Sequence, residues 1–343
     1  MSCFVIAEAG INHNGSIESA LRLVDAAAAA GADAVKFQTF RAERLVRPGA
    51  EKAEYQHRYT SEGDQFSMLR ALELPDAAYP RLFARCHQLN IEFLSTPFDK
   101  EAAEMLVHLG MRRIKVPSGE ITNFPFLEYL AALKRSIILS TGMSTLDEVS
   151  EAVAVLRAAW QRAKVEFASD MLTLLHCTSN YPTTPEDVNL CAMLTLRDAF
   201  GTPVGYSDHT EGVAVAVAAA AMGAAVVEKH FTLDRKLPGP DHKASLEPAE
   251  LSRMVREIRI VEMALGDGAK RPRARELPMR DLVRRSVTLT RAVRAGETIR
   301  REDLTLLRPG TGIPPKEMDA VANKRAARDL PAGTTLSWKD LVS

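Results

Sequence analysis

Between residue 4 and about residue 265 one rhythm repeats eight times. A short apolar, β-branched run is followed by a polar or Gly/Pro turn and then by an Ala/Leu/Glu-rich helical stretch. The runs are FVIAEAG (4–10), AVKFQTF (34–40), IEFLSTPF (91–98), RIKVPSGE (113–120), SIILSTG (136–142), LTLLHCT (172–178), PVGYSDH (203–209) and AVVEKHFT (225–232). Eight strands alternating with helices over roughly 250 residues is what a closed parallel barrel requires. The prediction is an α/β chain whose main domain is a (β/α)₈ TIM barrel. An open doubly wound sheet is the alternative, but no G-x-G-x-x-G follows the first run, which weakens its dinucleotide-binding form.

The rhythm stops near residue 266. GDGAKRPRARELPMR (266–280) is rich in Gly, Pro and Arg and reads as a linker. Beyond it come a short alternating strand at Ser286–Leu289, glycine turns at Gly296, Gly310 and Gly333, and Pro-rich corners. The expected division is a barrel over 1–265, a linker over 266–284 and a small β-rich domain over 285–343. About 60 residues build a thin core alone, so that domain is expected to dock on the barrel or on a second subunit. The segment 41–75 exceeds an ordinary βα loop and reads as a lid or wall.

Composition excludes several classes. The chain has 343 residues with 44 basic and 44 acidic side chains, so no global field draws it to nucleic acid or anionic lipid. The longest apolar run, Val213 to Val227, is shorter than the roughly 20 residues of a membrane span and is divided at Gly223. Cys3, Cys86, Cys177 and Cys191 form no CxxC pair, and no export signal precedes Phe4; both suit a reducing cytoplasm.

Chemistry is expected at the C-terminal ends of the strands, which converge on one face of a barrel. There stand Glu8, Asn12 and His13; Lys36 and Gln38; Ser95 and Thr96; Lys115, Ser118 and Glu120; Thr178 and Ser179; Ser207, Asp208 and His209; Lys229 and His230. His209 and His230 end neighbouring strands and are candidates for a divalent cation, with manganese, cobalt or magnesium favoured over a closed zinc site. Asp208 is a candidate to orient one imidazole. Lys36, Lys115 and Lys229 suggest a cradle for a phosphate or carboxylate, completed by nearby hydroxyls. Glu8 and Glu120 are candidates for proton transfer or hydroxyl binding, with a buried salt bridge to lysine as the plainer reading. Tyr181 and Asp241 lie in loops able to meet a sugar.

These motifs resemble the sialic acid synthase family of nonulosonic acid synthases, including its N,N'-diacetyllegionaminate branch. The resemblance rests on AEAGINHNGS (7–16), VKFQTF (35–40), FLSTPF (93–98), KVPSGE (115–120), LSTGM (139–143), LLHCTSNYPT (174–183), VGYSDHT (204–210), EKHFTLD (228–234) and LPGPDHKAS (237–245). LLRPGTGI (306–313) resembles the family's C-terminal antifreeze-like SAF domain. The resemblance implies condensation of phosphoenolpyruvate with an N-acyl mannosamine-type sugar, phosphate leaving by C–O cleavage, in a domain-swapped homodimer. It implies a metal, manganese first, on His209 and His230. It assigns phosphoenolpyruvate to Lys36, Thr96, Lys115, Ser118, Ser179 and Ser207, and the sugar to Gln38, Glu120, Tyr181, Asp241 and, from the second subunit, Arg308. It gives Glu8 the handling of protons. N-acetylmannosamine is the first acceptor this suggests, with the 2,4-diacetamido-2,4,6-trideoxy analogue as the alternative. The chain departs from some members at Ser179, where certain of them carry Asn, and at His242-Lys243, where others carry smaller apolar residues. A Schiff-base pyruvate lyase, a synthase for sugar phosphates and a non-catalytic carbohydrate-binding protein are the competing classes.

Overall fold

The computed structural model describes residues 2–60 and 62–342. It divides into two compact units, Met1–Gly266 and Asp267–Ser343.

The first unit carries the eight strands: β1 (Phe4–Gly10), β2 (Ala34–Thr39), β3 (Glu92–Pro97), β4 (Arg113–Val116), β5 (Ser136–Ser140), β6 (Leu172–Cys177), β7 (Val204–Asp208) and β8 (Val226–His230). All ladders are parallel and run in the order β3-β2-β1-β8-β7-β6-β5-β4. The two ends of that order, β3 and β4, lie side by side, so the sheet curls round into the expected barrel. β7 and β8 are entirely buried and β1 almost so, as strands are when helices cover the outside and side chains fill the inside. Gly205 is dictated by this packing, because a Cβ there would run into the carbonyl of Val226 on β8.

Local chemistry sets the helices between the strands. Ser16 caps Ile17–Ala29 by accepting from the Ser19 amide, and Asp99 caps Lys100–Leu109 in the same way. Thr145 and Glu148 form a capping box at the start of Leu146–Arg162, whose Val149, Val153, Leu156 and Trp160 recur on one buried face. The segment 41–75 holds three short helices, Ala42–Leu45, Glu54–Tyr59 and Gln65–Leu72. Met68 and Leu72 of the last pack with Ile11 and Phe40 in a small apolar cluster of their own.

The second unit has its own core around Val287, Leu289, Ile299, Leu304, Val321 and Leu336. Two antiparallel pairs of short strands build it: Ser286–Leu289 with Leu304–Leu307, and Arg325–Ala326 with Leu341–Val342. The stretch that reads as a linker contains a helix, Leu277–Val283, started by Pro278 in its first turn. Among the described residues, no helix is long and apolar enough to cross a membrane.

Candidate active site

Strand register decides which polar groups meet. Glu8 pairs across the sheet with Lys36 on one side and with His230 on the other, while Gln38 pairs with Thr96 and Ser207 with Glu228. The result is an alternating cluster of charge inside the barrel. Lys36 Nζ lies 2.8 Å from Glu8 Oε2 and 3.7 Å from Glu228 Oε2, and donates to Thr96 Oγ1 at 3.1 Å. Lys115 Nζ donates to Ser140 Oγ at 2.7 Å and lies 3.8 Å from Glu228 Oε1. Glu228 also accepts from Ser207 Oγ at 3.0 Å, and Gln38 Nε2 donates to Glu8 Oε1 at 3.4 Å.

Burial and neighbours tune these groups in opposite directions. Burial holds the Glu8 carboxyl well above the usual carboxylate range, against the pull of Lys36. Burial would raise Glu228 too, but the ammonium groups of Lys115 and Lys36 draw it below that range. Burial lowers Lys115, helped by the nearby charge of Lys36. For Lys36 the two carboxylates, Glu228 and Glu8, outweigh burial and raise it. Two carboxyls in one cavity with opposed environments are the pattern expected of a proton-transfer group beside a fixed charge.

A second group of side chains closes the other side of the mouth. The His209 and His230 rings have centroids 5.6 Å apart, and the Tyr181 ring lies 4.2 Å from the first and 5.8 Å from the second. His209 Nδ1 sits 2.6 Å from the Thr178 carbonyl. A carbonyl only accepts, so Nδ1 carries the hydrogen and Nε2 keeps its lone pair. His230 Nδ1 is buried with no hydrogen-bond partner and lies 4.0 Å from Asp241 Oδ2. Burial holds both imidazoles below their usual range, hence neutral, and raises Asp241 to about 6.

Among the described residues, no three His, Cys, Asp or Glu side chains gather into one candidate metal cluster. What this mouth offers is a pair of neutral imidazoles, one with a fixed free lone pair and one with an orphaned nitrogen. Rings that close, with centroids 5.6 Å apart, could share a divalent ion that would also take oxygen donors. The donor set fits a metal.

Around Ser118 the backbone comes close. Ser118 Oγ accepts from the Gly142 amide at 2.9 Å and lies 3.3 Å from Cys177 Sγ. A Cβ at Gly142 would stand 2.5 Å from Ser179 Oγ and 2.9 Å from Ser118 Oγ, so only glycine leaves these hydroxyls in place. Glu120 follows in a 3₁₀ turn, its carboxylate held by Asn123 Nδ2 at 2.6 Å. Arg308 lies exposed in the second unit.

Two sequence expectations are corrected. Lys229 is not part of the lysine cradle: side chains alternate along β8, so it points away from Glu228 and His230. Its Nζ is wholly buried, 2.7 Å from Asp208 Oδ2 and 2.5 Å from the Thr210 carbonyl. Asp208 for the same reason does not orient an imidazole; it holds Lys229 and accepts from the Thr210 amide and hydroxyl. The residue that sequence reasoning left aside is Glu228. Its alternation with His230 was the available signal.

Residues 23–270 match the model of the NeuB family, and residues 284–342 match the SAF domain. The chain is 51% identical over 342 residues to an N,N'-diacetyllegionaminic acid synthase of Legionella pneumophila, covering 99% of this chain and 95% of that protein. It is 35% identical to an N-acetylneuraminate-9-phosphate synthase of Mus musculus, covering 99% and 93%. The crystal structure of an N-acetylneuraminic acid synthetase from Leptospira borgpetersenii superposes with a TM-score of 0.70 at 35% identity, covering 81% of this chain and 90% of that one. The chain belongs to the NeuB family.

Proposed function

We propose that this chain is a nonulosonic acid synthase that joins phosphoenolpyruvate to an N-acylated mannosamine-type sugar and releases phosphate. The observation that carries the reading is one mouth holding Lys36 and Lys115 around Glu228 beside the His209–His230 pair. That arrangement suits a substrate bringing a phosphoryl group and a carboxylate, joined to a partner with a polarisable carbonyl oxygen. Identity of 51% and 44% to two N,N'-diacetyllegionaminic acid synthases favours the 2,4-diacetamido-2,4,6-trideoxymannose acceptor. N-acetylmannosamine is the second reading, supported by the N-acetylneuraminate-9-phosphate synthase relative.

In this mechanism Lys36, Thr96, Lys115, Ser118, Ser179 and Ser207 hold phosphoenolpyruvate, with the ammonium groups opposite the charge that grows on the departing phosphate. Gln38, Glu120, Tyr181 and Asp241 hold the open-chain sugar, and Arg308 reaches it from the second subunit of a domain-swapped homodimer. His209 and His230 would hold a divalent metal, manganese by preference, which would supply Lewis-acid polarisation of a carbonyl oxygen. Carbon 3 of phosphoenolpyruvate bonds to the aldehyde carbon as the carbonyl π pair moves to its oxygen, which takes up a proton to become a hydroxyl, and carbon 2, left cationic, is captured by water. Glu8, whose raised affinity for protons suits a carrier near neutral pH, takes the proton of that water. The tetrahedral carbon then expels phosphate by C–O cleavage. A cytoplasmic setting supplies both substrates.

The test is phosphate release from phosphoenolpyruvate and Mn²⁺ with each sugar in turn. Activity with one N-acyl mannose derivative, abolished by chelator and by His209→Ala, is expected. Turnover that survives chelator, with borohydride trapping pyruvate on a lysine, would establish the Schiff-base lyase instead.

A further inference from the structure

The motif Asn12-His13-Asn14 leaves β1 and takes no part in the chemistry above, yet Asn12 and His13 are 3% and 1% exposed. Its asparagines are spent on one object, the loop from Phe231 to Ser245 that carries Asp241. Asn12 Nδ2 donates to the Phe231 carbonyl at 2.8 Å and to Ser245 Oγ at 2.9 Å, and Ser245 Oγ donates in turn to the Asp241 carbonyl at 2.7 Å. Asn14 Nδ2 donates to the Pro238 carbonyl at 2.9 Å, which turns its Oδ1 toward His242 Nε2 at 3.3 Å. His242 must therefore donate from Nε2 and accept at Nδ1 from Thr232 Oγ1, 2.7 Å away. Gly239, at φ +147°, passes so close to the His242 ring that a Cβ there would stand 2.7 Å from Cδ2.

These bonds grip the loop near both ends and in its middle. None of them touches the Asp241 carboxylate, which lies 4.0 Å from His230 Nδ1. We infer that Asn12 and Asn14, acting through Ser245 and His242, are positioning residues that set the 231–245 loop so that Asp241 meets the acceptor sugar. The inference rests on the proposed function, in which Asp241 binds that sugar. A side chain that fixes a ligand-binding group without touching the ligand acts on binding through placement, and misplacement of about 1 Å costs up to about a hundredfold.

Steady-state kinetics of the full chain with Mn²⁺ separate the possibilities. Asn12→Ala and His242→Leu are expected to raise the sugar KM at least about tenfold while the phosphoenolpyruvate KM stays within about twofold. His242→Gln keeps a donor toward Asn14 and an acceptor toward Thr232, and is expected to restore the sugar KM toward that of the parent. Should Asn12→Ala not fold, Asn14→Gly carries the same expectation, because Asn14 is exposed, glycine accepts its φ of +50°, and the bonds to Pro238 and His242 are what the change removes. Asp241→Asn is the control. If it leaves the sugar KM unchanged, the sugar-site reading has failed. If it raises the sugar KM while Asn12→Ala and Asn14→Gly do not, or if they move both KM values together, the positioning inference is overturned.

Discussion

Replacing Glu228 by glutamine tests the charge cluster where its parts pull against each other. Glu228 lies 3.7 Å from Lys36 and 3.8 Å from Lys115. At an effective dielectric near 20, each pairing is worth about 4 kcal/mol of attraction, set against several kcal/mol for keeping the carboxylate out of water. Removing one member of such a group costs about 3–5 kcal/mol, because the partners stay buried without compensation. Lys36 retains Glu8 at 2.8 Å, so the loss falls on Lys115, left with Ser140 Oγ and the Val116 carbonyl. Lys115 already releases its proton more easily than a free lysine, which limits the loss and places the expectation at the low end, about 3 kcal/mol. For a unit near this size that corresponds to a fall in melting midpoint of roughly 6–12 °C.

The sign reverses for an anionic ligand. Without the Glu228 charge, Lys115 faces a phosphoryl group undivided and Lys36 shares its charge with Glu8 alone, so Glu228→Gln should bind phosphoenolpyruvate more tightly than the parent does. A tenfold gain in affinity adds about 1.4 kcal/mol of stabilisation at saturating ligand. Melting curves with and without phosphoenolpyruvate, metal omitted, read both effects together. The variant should melt lower alone and be raised further by the ligand. Equal midpoints without ligand, or a smaller ligand-induced rise in the variant, would refute the reasoning.

Three further outcomes follow from particular contacts. Gly142→Ala drives a methyl into Ser179 Oγ and Ser118 Oγ, and should raise the phosphoenolpyruvate KM about tenfold or more with little change in the sugar KM. Lys229→Met leaves Asp208 charged and buried, and should cost about 3–5 kcal/mol in a urea titration; adding Asp208→Asn should recover part of that loss. His13 and His242 are both held down to about 4, chiefly by burial. The unfolded chain therefore takes up protons below about pH 6.5 that the folded chain refuses. The part of the stability these two histidines carry should be level above pH 7 and fall between about pH 6.5 and pH 4, read as a shallower fall of the urea midpoint against pH in His242→Gln than in the parent.

The strands were legible because a barrel repeats its demand eight times, and each strand end announces itself by a change from branched apolar to polar residues. The helix Leu277–Val283 and the three short helices within 41–75 were not, since none is long enough to show an apolar period. Orientation within a strand was the deeper difficulty. In a half-exposed strand, alternation of polar and apolar residues reveals which side faces in. β8 runs Val-Val-Glu-Lys-His with every residue buried, so its charges cannot be sorted by burial. They are sorted by pairing with the next strand, where Lys229 stands opposite Asp208 and Glu228 opposite Ser207. Lys229 and Asp208 neutralise each other, with no other charged partner among the described residues within reach of an ion pair, and need no ligand. A carboxylate opposite a hydroxyl, with two lysines reaching it from β2 and β4, leaves positive charge available to an incoming anion. Lys36 has Glu8 opposite it in register as well, but it shares Glu228 with Lys115, whereas Lys229 and Asp208 pair with each other and lie apart from that cluster.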